Sequence, residues 1–186
     1  MKKIALALLA AVACSTPPPQ QKEQPACPPA VEQPSSCSAP KYEVHFSPHG
    51  GCSKAIVAVI EGAQHFIHVQ TYSFTSQPIT DALIAARKRG VTVELLADKS
   101  DGLGSSVHRL VALKAGGVSV FIDSKHAIAH NKVIVVDFKT VETGSYNYTG
   151  QAETSNAENC LVISDTSLAH VYEANWQDHK AHSTSF

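Results

Sequence analysis

Four consecutive apolar β-branched residues, Val133-Ile134-Val135-Val136, leave few choices for what this chain can become. A run with no polar break is a strand buried on both faces, inside a sheet rather than at its margin. Its flanks are polar: His130 and Lys132 lead in, and Asp137 ends it. Side chains two apart on a strand share a face, so His130 and Lys132 aim at one point at the strand's entrance. Asp137 lies an odd number of positions from Lys132 and points to the other face, as a supporting hydrogen-bond acceptor. A second pair, Ser145 and Asn147, follows Gly144 after the β-prone run Thr140-Val141-Glu142-Thr143. Imidazole and ammonium from one strand, with hydroxyl and carboxamide from the next, describe a pocket for a phosphate.

Strand and helix patterns alternate through the rest of residues 41–186. Strands are expected over Tyr42–Phe46, His65–Tyr72, Val91–Leu96, Val118–Ile122 and Ala157–Ile163. Helices are expected over Ser53–Ala63, over Pro78–Arg89 with Gly90 as its stop, and from Val107 to Gly116-Gly117. Leu168, Tyr172 and Trp176, four apart, mark a C-terminal helix with Trp176 as a core anchor. This order implies a single α/β domain: a mixed β-sheet with helices on both faces, parallel in its first half and antiparallel where the strands crowd together after position 118. At 186 residues and 44% hydrophobic, the chain has material for one core. A net charge of −1 excludes a basic field over the whole surface, although a local patch suffices to hold a nucleic-acid backbone.

Met1-Lys2-Lys3 and the apolar stretch Ile4–Ala13 read as a secretory signal, too short to span a bilayer. Cys14 behind Ala11-Val12-Ala13 resembles a bacterial lipoprotein box, with Ala11 where Leu is usual. Residues 14–40, rich in Pro, Gln and Ser, lack the apolar surface to fold and form a tether. The expectation is export to the periplasm, free or membrane-attached through lipidated Cys14. Cys27, Cys37, Cys52 and Cys160 then admit none, one or two disulfides. No C-x-x-C or H-E-x-x-H spacing marks a zinc site. His126 and His130 are four apart as on a zinc-binding helix, but a strand follows them.

The residues from His130 to Asp137 match H-x-K-x(4)-D, and Gly144-Ser145-Tyr146-Asn147 matches G-S-x-N. With Glu158 further on and Gln70–Thr75 before, this ordered set resembles the phospholipase D superfamily over residues 42–180. It is most similar to the small bacterial endonucleases with a single motif copy. The resemblance implies a phosphodiesterase that uses neither metal nor cofactor, a nucleic-acid substrate, and a homodimer whose active site lies on the two-fold axis.

The chemistry also follows from the residue types. Lys132 neutralises a non-bridging oxygen, Asn147 donates its amide hydrogens, and Ser145 donates or orients. Neutral His130 attacks phosphorus to give a covalent phosphohistidine. A second imidazole must protonate the leaving oxygen, and one chain supplies one such histidine, so two chains meet. Glu158 is expected to accept the other ring N–H of His130. Tyr72, Phe74, Tyr146 and Tyr148 either stack on bases or pack inside. Arg87-Lys88-Arg89 is either a basic helix end or a DNA contact. Two rivals remain: phospholipid hydrolysis or phosphatidyl transfer by the same chemistry, and a non-catalytic cell-surface module that binds nucleic acid.

Overall fold

The computed structural model describes residues 41–104 and 106–186. The expected leader and tether, with Cys14, Cys27 and Cys37, lie outside the described residues.

Among the described residues, eight strands form one sheet. In chain order they are β1 (Lys41–Ser47), β2 (Phe66–Thr71), β3 (Thr92–Asp98), β4 (Ser119–Asp123), β5 (Val133–Val136), β6 (Thr140–Gly144), β7 (Glu158–Ser164) and β8 (Thr184–Ser185). Their spatial order is β1-β7-β6-β5-β2-β3-β4-β8. Only the β2–β3 and β3–β4 pairs are parallel. The crossovers of those two pairs are α2 (Gln77–Lys88) and α3 (Val107–Ala115), as parallel neighbours require. The β-branched run is β5, buried throughout between β2 and β6.

Helices cover both faces. With α1 (Cys52–Gly62), helices α2 and α3 bury Ile56, Ile60, Leu83 and Leu110 against Ile67, Val69, Leu95 and Ile134. On the other face α5 (Thr166–Lys180) packs Ala169, Leu168 and Tyr172 over Val133, Val135 and Val141. Strict alternation along β5 thus feeds two cores. Trp176 is fully buried, as its spacing predicts, and donates its indole N–H to Val69 O at 3.0 Å. It stacks on His68 with centroids 4.1 Å apart, and His68 in turn meets Glu173 at 2.9 Å.

Two small elements have no strong signal in the sequence: α4 (Gly150–Thr154), capped by Thr149, and β8, which closes the sheet beside β4. The thiols of Cys52 and Cys160 are buried and, among the described residues, unbridged.

Candidate active site

Gln70 pairs with Val133, and Val133 with Thr143. The exit of β2, the entrance of β5 and the exit of β6 therefore lie at one end of the sheet. Lys132 stands at that entrance, only 5% exposed. Its ammonium donates to His130 O at 2.7 Å and meets His130 Nδ1 at 3.1 Å. A ring nitrogen facing an ammonium is an acceptor, so a neutral His130 carries its proton on Nε2. Tyr72, just beyond β2, puts its ring 4.5 Å from that of His130 and 5.2 Å from the Lys132 ammonium. Burial lowers the Lys132 pKa, and the Glu158 carboxylate opposes that shift. The segment before His130 is held by Asp98, which accepts the Ala129 N–H at 2.7 Å.

The other half of the site is the turn after β6. Gly144 is required by close approach: a Cβ there would lie 2.2 Å from Asn159 O. That same oxygen accepts the N–H groups of Ser145 and Tyr146 at 3.1 and 3.2 Å. Ser145 donates its hydroxyl to Glu158 Oε2 at 2.6 Å and accepts the Asn159 N–H at 3.1 Å. Asn156 donates to the other Glu158 oxygen at 3.0 Å. Asn147 Oδ1 is shut off from solvent without a hydrogen-bond partner.

Two tyrosines fix this turn from below. Tyr146 and Tyr148 are fully buried; their hydroxyls donate to Glu153 at 3.0 Å and to Glu142 at 2.7 Å. Tyr148 O accepts the N–H groups of Thr75 and Ser76, both at 2.9 Å, which ties the turn to the exit of β2. Of the four aromatic residues offered as base-stacking surfaces, Phe74, Tyr146 and Tyr148 are core. Tyr72 alone of the four flanks the site.

Five of the six residues expected in the site gather at this end: His130, Lys132, Ser145, Asn147 and Glu158. Asp137 does not. It sits beyond the far end of β5, where its carboxylate accepts the backbone N–H groups of Gln64, His65 and Phe66 at 2.8–2.9 Å. These three bonds hold its pKa below the ordinary value against the opposing effect of burial. It is the hydrogen-bond acceptor expected, but its place is corrected from a support of the site to an anchor of the turn between α1 and β2. Glu158 acts on the charge of Lys132 and accepts from Ser145 and Asn156, and it is not bonded to His130 as expected. Arg87 and Arg89 donate to Gly117 O and to Ile60 and Glu61 carbonyls, so they tie helix ends together.

Glu142 has no sequence signal beyond a charge inside a β-prone run. Fully buried, it has its pKa pushed up to about 7 by the loss of water, partly offset by the Tyr148 hydrogen bond.

Residues 56–180 match the family model for the cardiolipin synthase PLD-like domain. The chain belongs to the phospholipase D superfamily. It is 42% identical over 147 residues to a phospholipase D of Rickettsia conorii, covering 79% of this chain and 73% of that protein. It is 30% identical to a mitochondrial cardiolipin hydrolase of Xenopus laevis, over 76% of this chain and 64% of that one. Among solved structures it resembles Nuc, a phospholipase D family member from Salmonella typhimurium, with TM-score 0.77 and 38% identity. That likeness covers 79% of this chain and 98% of Nuc. The fold and the family together make the protein a phosphodiesterase of the hydrolase class.

Proposed function

We propose that this phosphodiesterase is an exported endonuclease with little sequence preference, working through a phosphohistidine on His130. The observation that carries the reading is the buried Lys132 ammonium held against Nδ1 of an exposed His130. A buried ammonium with so few partners is poised to take a phosphate oxygen. In the free enzyme it occupies Nδ1 and leaves the proton on Nε2. An arriving phosphodiester draws the ammonium onto its own oxygen and frees Nδ1 to carry the proton, leaving the Nε2 lone pair for attack. The amide N–H groups of Asn147 complete the cradle, and Ser145, whose hydroxyl donates to Glu158, orients it.

Nucleic acid is favoured over lipid by the single motif copy on a minimal domain, which matches nearly the whole length of Nuc. Lipid is the second reading, since the Rickettsia and Xenopus relatives carry phospholipase and cardiolipin hydrolase names. The two are separated by one side-by-side assay. A labelled single-stranded oligonucleotide and vesicles of phosphatidylcholine with cardiolipin are each offered to the wild type and to His130→Ala. Oligonucleotide cleavage by the wild type alone is expected; lipid hydrolysis alone would overturn the nuclease reading.

A homodimer supplies the second imidazole. Tyr42, Val44 and Phe46, all on one face of the edge strand β1, are 70%, 46% and 64% exposed. Phe46 pairs with Asn159, which donates to Ser145, so this apolar stripe runs into the rim of the site. A second copy seated there would bring the two sites together. Light scattering should give a dimer, and Phe46→Asp a monomer without activity. A wild-type monomer with full activity would refute the arrangement.

A further inference from the structure

Away from the motif, at the end of β4, Asp123 is ringed by three histidines. Its Oδ2 lies 2.7 Å from His179 Nδ1, 3.1 Å from His126 Nδ1 and 3.2 Å from His182 Nε2. All four candidate ligand atoms fall within 4.8 Å of one another. The three rings sit 4.8–5.4 Å apart by centroid. From these four residues we infer a binding site for a divalent transition metal, zinc being the best match, which pins the C-terminal helix to the segment carrying His130.

Hydrogen bonding alone accounts poorly for the cluster. One carboxylate oxygen is asked to accept from three imidazoles, more donors than it has lone pairs. A cation at the centre resolves this, because all three ring lone pairs and the carboxylate then point inward. Tetrahedral zinc with bonds of about 2.0–2.1 Å sets its ligand atoms about 3.3 Å apart. The separations of Asp123 from His126 and His182, 3.1 and 3.2 Å, lie close to that value; the 2.7 Å to His179 is shorter, and ligand atoms up to 4.8 Å apart close in as the rings turn onto the metal. Three imidazoles and one carboxylate suit zinc over calcium or magnesium, which take oxygen.

The surroundings fit as well. The Asp123 side chain is 1% exposed, while those of His126, His179 and His182 are 43%, 13% and 21% exposed, so the cluster is rooted in the fold and open on one side. The other carboxylate oxygen of Asp123 accepts the Lys125 N–H at 3.0 Å, and His126 O accepts from Lys99 at 2.9 Å. Both fix the orientation of the ligands. The ligands come as two pairs, Asp123 with His126 and His179 with His182, one on the β4 exit and one at the end of α5. Asp123 pairs with Asp98, which anchors Ala129 beside His130. The metal therefore serves the shape of the segment before His130 and takes no part in the bond-breaking chemistry.

The test uses the full chain, stripped with chelator and dialysed against zinc, beside His179→Gln/His182→Gln and the control His170→Gln. The wild type and the control should retain one zinc per chain through gel filtration and melt at a higher temperature with zinc than without. The double variant should retain none and show no shift. Should it fail to fold, His126→Gln on the exposed segment gives the same comparison. X-ray absorption of the zinc form should show only nitrogen and oxygen neighbours, at about 2.0 Å. Absence of zinc uptake by the wild type, equal uptake by the double variant, or sulfur neighbours would each overturn the assignment.

Discussion

Glu142 gives the sharpest stability prediction. Burial lifts its pKa from 4.5 to about 7. The folded state therefore holds this proton more tightly than the unfolded chain. Its contribution to stability is intact below pH 4.5, falls between 4.5 and about 7, and is fully lost above that. The difference amounts to about 3 kcal/mol, a large part of the stability of a domain this size. Glu142→Gln keeps the shape and can still accept from Tyr148, but it cannot ionise. In urea titrations the variant should equal the wild type within about 1 kcal/mol at pH 4.5, and exceed it by about 2–3 kcal/mol at pH 8. Asp101, also lifted by burial to about 6, tilts both proteins alike and cancels in the comparison. A difference between wild type and variant that is the same at both pH values would mean that Glu142 is not the group that titrates.

Three further outcomes follow from the site. Glu158→Gln removes the carboxylate that supports the Lys132 charge, so the alkaline limb of the rate–pH profile should move to lower pH; an unmoved limb would remove Glu158 from that role. Gly144→Ala forces a methyl against Asn159 O and should cost about 1–3 kcal/mol in a thermal or urea melt, with loss of activity. Asp137→Ala breaks three bonds to backbone N–H groups and should cost about 2–3 kcal/mol. The folded Asp137→Ala protein should nevertheless keep its kcat, whereas a collapse of kcat with stability unchanged would tie Asp137 to the catalytic groups.

The sheet was legible because its strands are apolar runs of the right length, and β5 could be nothing else. The convergence of His130, Lys132, Ser145 and Asn147 was legible too, since strand periodicity and the family pattern both place them at one end. Short elements such as α4 and β8 escape periodicity, which needs more residues than they have. Partners set by tertiary packing are likewise invisible. The sequence could not say that Glu158 would accept from Ser145 and Asn156 and not from His130, or that Tyr146 and Tyr148 would turn inward onto Glu153 and Glu142. Asp137 shows the opposite: its parity relative to Lys132 already pointed away from the site. The histidine cluster was hidden for a topological reason, because its two ligand pairs lie far apart in sequence and meet only when α5 returns across the sheet.

In the proposed mechanism His130 itself attacks the phosphodiester. Rapid acid-free quenching of the enzyme with a labelled oligonucleotide, followed by peptide mapping, tests it most directly. Wild type should carry label on the His130 peptide, stable to alkali and released by acid, and His130→Asn should carry none and cut nothing. Cleavage by His130→Asn at the wild-type rate, or label on another residue, would contradict the account.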